Sequence, residues 1–237
     1  MDKLFFIEGL PGTGKTTITE WFKKDLERKG AKVTCLLENN LQIPTNFFHI
    51  ASIPEGEFQR LTGEYPAIAD IAVQVEGYFF IFIDHAPNEA RQELLVYDIG
   101  DEFNPHFTAE SYMAQTLLYI DRKFRELSEI DGILIIDSGF LQNPINEVLF
   151  RKGTVTQAKD YIFTMAKLLQ PYDFLCIYLD RGDADVSMAC AKKIKGEFWY
   201  NRVMEKMKAM GMLDHFQRRY LIETGIIYDQ LQSNRKI

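Results

Sequence analysis

Residues 9–16 read Gly-Leu-Pro-Gly-Thr-Gly-Lys-Thr, the full spacing G-x-x-x-x-G-K-[ST]. The stretch follows the apolar tripeptide Phe5-Phe6-Ile7 and precedes a helical pattern. Few folds tolerate so much glycine between two regular elements. Glycine reaches the positive-φ conformations of a concave loop and lets backbone N–H groups approach an anion with no Cβ in the way. A helix starting at Lys15 aims its N-terminal partial charge at the same point. The residues expected to hold a nucleotide are therefore Gly9, Pro11, Gly12, Thr13, Gly14, Lys15, Thr16 and Thr17. Lys15 brings a full positive charge to the β- and γ-phosphates, and the Thr16 hydroxyl suits Mg²⁺.

The flanking pattern gives the fold class. Residues 3–8 read as a buried strand, 15–29 as a helix stopped by Gly30, and Val33–Leu37 as a second strand. Strand–helix–strand alternation implies an α/β parallel sheet in a three-layer sandwich. Residues 39–107 break the rhythm and hold five of the eight prolines. Within them, 78–84 and 93–99 are strand-like runs and predict an inserted antiparallel β-hairpin on the sheet edge. Regularity returns with a helix over 108–129 capped by Thr108, strand 132–137, a helix ending before Pro171, and strand 174–180. The remainder reads as helical, broken near Gly196 and Gly211, and a fifth core strand is not legible. Residues 1–237 are read as a single domain, with 39–107 as the acceptor region and 181–202 as a lid-like segment.

A Mg²⁺–nucleotide site needs a carboxylate near Thr16. Asp84, Asp137 and Asp180 each end an apolar run. Asp137 is preferred as metal ligand, because it ends the purest of the three, Ile-Leu-Ile-Ile-Asp. Glu38 follows the second strand at the carboxyl edge where α/β proteins bind ligands, and is a candidate general base for an acceptor hydroxyl. Arg181, Lys192, Lys193, Lys195 and Arg202 cluster after the last strand. Arg181, Lys192 and Arg202 are the candidate catalytic cations for a migrating phosphoryl group. Cys35 and Cys176 lie in apolar runs and are expected to be buried thiols, and three cysteines without CxxC spacing fit a reduced, cytoplasmic setting.

With these pieces placed, the chain resembles the nucleoside and nucleotide kinase branch of the P-loop NTPase fold, thymidylate-kinase-like in layout, over residues 1 to about 210. The resemblance rests on GLPGTGKTT (9–17), on Glu38 where deoxynucleoside kinases carry their base, and on the 192–202 segment as a lid. It implies a sheet of five parallel strands. It departs at Ser138, where many members follow the acidic residue with arginine. N-K-x-D, D-x-x-G and LSGGQ-like segments do not occur, which argues against GTPase switching and transport and makes ATP the expected nucleotide.

Charge bears on the acceptor. The net charge of −7 argues against nucleic acid as a partner, and no apolar run is long enough to cross a membrane. Residues 33–121 hold 14 acidic groups against Arg60 and Arg91 only, whereas 181–237 carry 11 basic and 7 acidic groups. An anionic acceptor is disfavoured by that split. A neutral or cationic small molecule with a hydroxyl fits, and Phe47, Phe48, Phe58, Tyr65, Tyr78 and Tyr97 are candidates to meet it. The expected activity is an ATP:Mg²⁺ phosphotransferase. An ATP-binding regulator with little turnover and a nucleotide monophosphate kinase stay open, and helix 108–129 is a candidate face for a homodimer.

Overall fold

A computed structural model describes residues 1–234. Four strands form a wholly parallel sheet in the order β2 (Val33–Leu36), β6 (Ile133–Asp137), β1 (Lys3–Glu8), β7 (Phe174–Tyr178). Their apolar character is what a sheet covered on both faces requires. Alternate side chains divide between two cores. Phe5, Ile7 and Ile135 meet Phe22 and Leu26 of α1 (Lys15–Arg28). Leu4, Phe6, Leu134 and Ile136 point the other way, onto α4 (Ala109–Ser128), α5 (Gln142–Phe150) and α6 (Val155–Leu168). Phe6 lies 5.2 Å from Phe140 and 6.2 Å from Phe124, ring centre to ring centre. The result is an α/β architecture, a parallel sheet flanked by helices, consistent with the expected P-loop NTPase fold. No fifth strand joins that sheet among the described residues.

The insert differs from the expected hairpin. Residues 78–82 are a strand, β5 (Tyr78–Phe82), but its partners are β3 (Ile50–Pro54) and β4 (Val73–Val75), in the antiparallel order β3-β5-β4. Residues 93–99 are not a strand. Glu93 and Leu94 end helix α3 (Asn88–Leu94), Leu95–Tyr97 form one 3₁₀ turn, and a single bridge joins Asp98 to Ala51. Ala90 and Leu94, four apart, are buried against Ile53 and Ile81, so helical spacing prevails over β-branched composition. Helix α2 (Glu55–Glu64) completes this small core through Phe58 and Leu61.

After β7 come α7 (Ala184–Lys195), α8 (Glu197–Ala209) and α9 (His215–Asn234), separated at Gly196 and Gly211, both at positive φ. Cys35, Cys176 and Cys190 are free and half-buried rather than fully enclosed. No described helix is long and apolar enough to cross a membrane.

Candidate nucleotide and acceptor site

Strand register places the site. Ile7 pairs with Asp137 and Leu36 with Ile136, so the carboxyl ends of β1, β6 and β2 are level. The loop leaving β1, the Asp137 carboxylate and Glu38 therefore share one rim. Gly9, Gly12 and Gly14 have φ of 139°, 84° and 96°, which bend the chain into a concave loop. Gly12 is also needed for space, since a Cβ there would stand 2.4 Å from the Ser187 carbonyl and 2.6 Å from the Ala191 nitrogen of α7. Gly14 caps α1 without a side-chain hydrogen bond, leaving the first-turn N–H groups facing the loop.

Lys15 is buried and donates from Nζ to the carbonyls of Gly9 (2.8 Å) and Leu10 (3.1 Å). Burial lowers its pKa, and Arg219 lowers it further, while Glu38, Asp137 and Glu8 act the other way. Thr16 donates to Asp137 Oδ2 at 2.9 Å, and Ser138 donates to Oδ1 at 2.9 Å. Burial raises the Asp137 carboxyl, and these two hydroxyls partly offset it. Of the three candidate aspartates, Asp137 alone is brought to Thr16. Asp180 accepts from the Gly182 nitrogen at 2.6 Å, and Asp84 faces His49 in the insert. No group of three or more His, Cys, Asp or Glu that could hold a metal occurs among the described residues. A hydroxyl and a carboxylate side by side suit Mg²⁺, which takes its remaining ligands from phosphate and water.

Three cavities meet at this rim, one of them lined by Thr16, Cys35, Glu38, Asn39 and Lys195. A smaller one, of about 150 Å³, is lined by Pro11, Gly12, Gly14, Lys15, Thr16 and Thr17, and by Glu38, Ala191, Ile194 and Lys195. A larger one, of about 600 Å³, is lined on one side by Glu38, Phe47 and Phe48 and on the other by Tyr112, Asn143 and Glu147, with Glu102 also on its wall. Glu38 is common to all three. No lysine or arginine lines the larger one. Glu147 pairs with Arg151 at 2.5 Å and Glu102 pairs with Lys206, neither cation lining the cavity itself. Arg60 and Arg91 are elsewhere, bound to Glu57 and Glu93 and to the Asp84 and Ala86 carbonyls. Of the six aromatic candidates only Phe47 and Phe48 line the cavity. Phe58 stacks on Phe79 at 3.7 Å inside the insert, and Tyr65 and Tyr97 hydrogen-bond Glu93 and Glu57.

The basic segment is only partly gathered. Lys195, on the last turn of α7, lines the smaller cavity at the loop. Lys192 pairs with Glu197 at 2.7 Å and lies over Tyr200, and Arg181 and Arg202 are exposed.

Beneath the loop lies a buried polar layer that the sequence reading did not find. Glu8, fully buried at the end of β1, accepts from the Phe140 and Gln142 nitrogens at 2.6 and 3.0 Å. Burial pushes its carboxyl up to about 7, with Glu223 adding to the rise. Arg219 of α9, 1% exposed, donates to Glu223 (2.8 Å), Asn146 (3.2 Å), Gln142 (3.2 Å) and the Gly9 carbonyl (3.3 Å). His215 contacts Asn146 at 2.7 Å and is held neutral by burial, its pKa lowered to about 3. The available signal was Arg219 and Glu223 at i, i+4 beside Phe216, Ile222 and Ile226, an ion pair on the apolar stripe of a helix.

No family model matches the chain. The chain is similar to the nucleoside-triphosphatase THEP1 of Pyrococcus abyssi, with 28% identity over 106 residues. The match covers 43% of this chain and 58% of that protein, so it spans little more than half of the relative. The similarity and the parallel sheet together support a nucleotide-binding P-loop NTPase fold.

Proposed function

We propose that the chain is an ATP- and Mg²⁺-dependent phosphotransferase, moving the γ-phosphate to a hydroxyl of a small neutral or cationic molecule. One observation carries this reading: Glu38 lines both the loop cavity and the larger cavity beside it. A carboxylate at that junction can take the proton of an acceptor hydroxyl while its oxygen attacks the γ-phosphorus and ADP leaves. The backbone amides of the loop and Lys15 stabilise charge on the transferred group, and Lys195 adds a cation from the lid side. Thr16 and Asp137 are the residues that would hold Mg²⁺, which would supply neutralisation of the phosphate charge. A nucleoside monophosphate fits poorly, because no lysine or arginine lines the acceptor side and the cations nearest it are already paired with Glu102 and Glu147.

The match to a protein named a nucleoside-triphosphatase favours a second reading, in which water is the acceptor. One experiment separates the two. ADP and inorganic phosphate are measured from MgATP, with and without hydroxylated amines, sugars, nucleosides and nucleoside monophosphates. Phosphotransfer predicts ADP in excess of free phosphate with a neutral or cationic acceptor. Equal ADP and phosphate with every compound establishes hydrolysis, and no ADP at all leaves a nucleotide-binding regulator.

A further inference from the structure

Helix α5 lines the larger cavity through Asn143 and Glu147 and bonds α9 through Gln142 and Asn146. Its first turn contains Gln142, almost fully buried, whose backbone nitrogen is fixed by Glu8 at 3.0 Å. The Gln142 side chain has two neighbours. Arg219 approaches its Oε1 at 3.2 Å, and its Nε2 donates in a short contact to Glu38 Oε1. The chemistry of these neighbours permits one orientation. Guanidinium only donates and an ionised carboxylate only accepts, so the amide oxygen must face Arg219 and the amide nitrogen must face Glu38. Arg219 is itself immobilised by Glu223, Asn146 and the Gly9 carbonyl.

We infer that Gln142 is a positioning residue for Glu38, and that Arg219 sets it by dictating which end of the amide meets the carboxylate. The inference rests on the phosphotransfer reading for its catalytic meaning, though not for its geometry. The amide occupies one lone pair of Oε1 and leaves Oε2 to face an acceptor hydroxyl. The same guanidinium contacts the loop that grips the nucleotide, so base and loop are referenced to one rigid point. Lys15, Asp137 and Lys195, with Glu102 and Glu147 on the larger cavity, are the other charged groups around Glu38, and none of them replaces a donor aimed at Oε1.

The test has two arms on the full chain. Crystal structures of the parent, Gln142→Ala and Gln142→Glu are compared at Glu38. The inference expects the carboxylate to leave its single position in Q142A, and in Q142E to swing away from a second carboxylate. A Glu38 side chain unmoved in both variants overturns it. Kinetics of MgATP turnover form the second arm, with whichever acceptor, water included, the parent uses. A roughly tenfold or larger fall in kcat is expected in Q142A with KM for ATP held within about twofold. In Q142E the acid limb of the pH profile should move to higher pH, since a neighbouring carboxyl disfavours the charged form of the base. Equal losses in kcat and in ATP affinity, with no change in the pH profile, would mark Gln142 as structural support only. If the parent forms no ADP, the phosphotransfer reading falls, and the Glu38 placement in the first arm still decides the inference.

Discussion

Gly12 and Gly14 offer a controlled comparison of two costs that glycine avoids. Both hold positive φ, 84° and 96°, so alanine at either is strained by about 1–2 kcal/mol. Loss of unfolded-chain entropy returns roughly 0.4–1 kcal/mol in each case. Their surroundings differ. An alanine Cβ at 14 meets nothing within 4 Å, whereas at 12 it lies 2.4 and 2.6 Å from backbone atoms of α7. Backbone cannot rotate aside, so α7 must shift, a strain of about 1–3 kcal/mol on the scale of overpacked cores. Gly14→Ala should therefore lose about 1 kcal/mol or less, and Gly12→Ala about 2–4 kcal/mol. Urea denaturation followed by circular dichroism reads the difference. With a slope of about 2 kcal/mol/M, the midpoints should separate by roughly 0.5–1.5 M. Coincident midpoints for the two variants would refute the claim that α7 rests directly on the loop.

Replacing Lys15 by Met should cost roughly 3 kcal/mol or more of transition-state stabilisation, read as a fall of over a hundredfold in kcat for MgATP turnover in a protein that still folds. Asp137→Asn should raise the Mg²⁺ concentration giving half-maximal turnover by about 10–100-fold, whereas an unchanged midpoint would remove Asp137 from the metal site. Glu8 carries a pH signature, because its carboxyl is raised from 4.5 to about 7 in the folded chain. Between those values the folded state binds more proton than the unfolded one, so this group's contribution is full below about pH 4.5 and is lost as pH rises through 7. The stability of the parent relative to Glu8→Gln should therefore shrink from pH 5 to 8 in urea titrations. His215 acts in the opposite sense between 6.5 and 3, and it cancels in that comparison because both proteins contain it. A constant difference across the range would contradict the burial argument.

The loop, the central strands and the nearness of Asp137 to Thr16 were legible because each is written locally, as fixed spacing or as an unbroken apolar run. Other elements were hidden by composition. Residues 93–99 look strand-like, yet the deciding fact is the burial of Ala90 and Leu94 on one helical face. One of the two partners that β5 uses, β3, reads Ile-Ala-Ser-Ile-Pro, and its Ser52 and terminal Pro54 mask the strand pattern. Helix α5 begins Gln-Asn-Pro, a turn signal, but Pro144 sits in the first turn, where its missing N–H has no intrahelical role. That concealment cost the reading Gln142, Asn143, Asn146 and Glu147 together. Arg219 was out of reach for another reason: nothing local relates it to a glycine 210 residues earlier.

The contact between Arg219 and Gly9 sets a clock on biosynthesis. The loop leaves the ribosome well before the guanidinium beneath it, which follows 210 residues later. At about 5–20 residues per second, the nascent loop spends roughly 10–40 s without its floor. During that interval Glu8, destined for a dry interior, stays in water as an ordinary solvated carboxylate. The completed loop site is thus a late product of translation, although the motif at its centre is made 210 residues earlier.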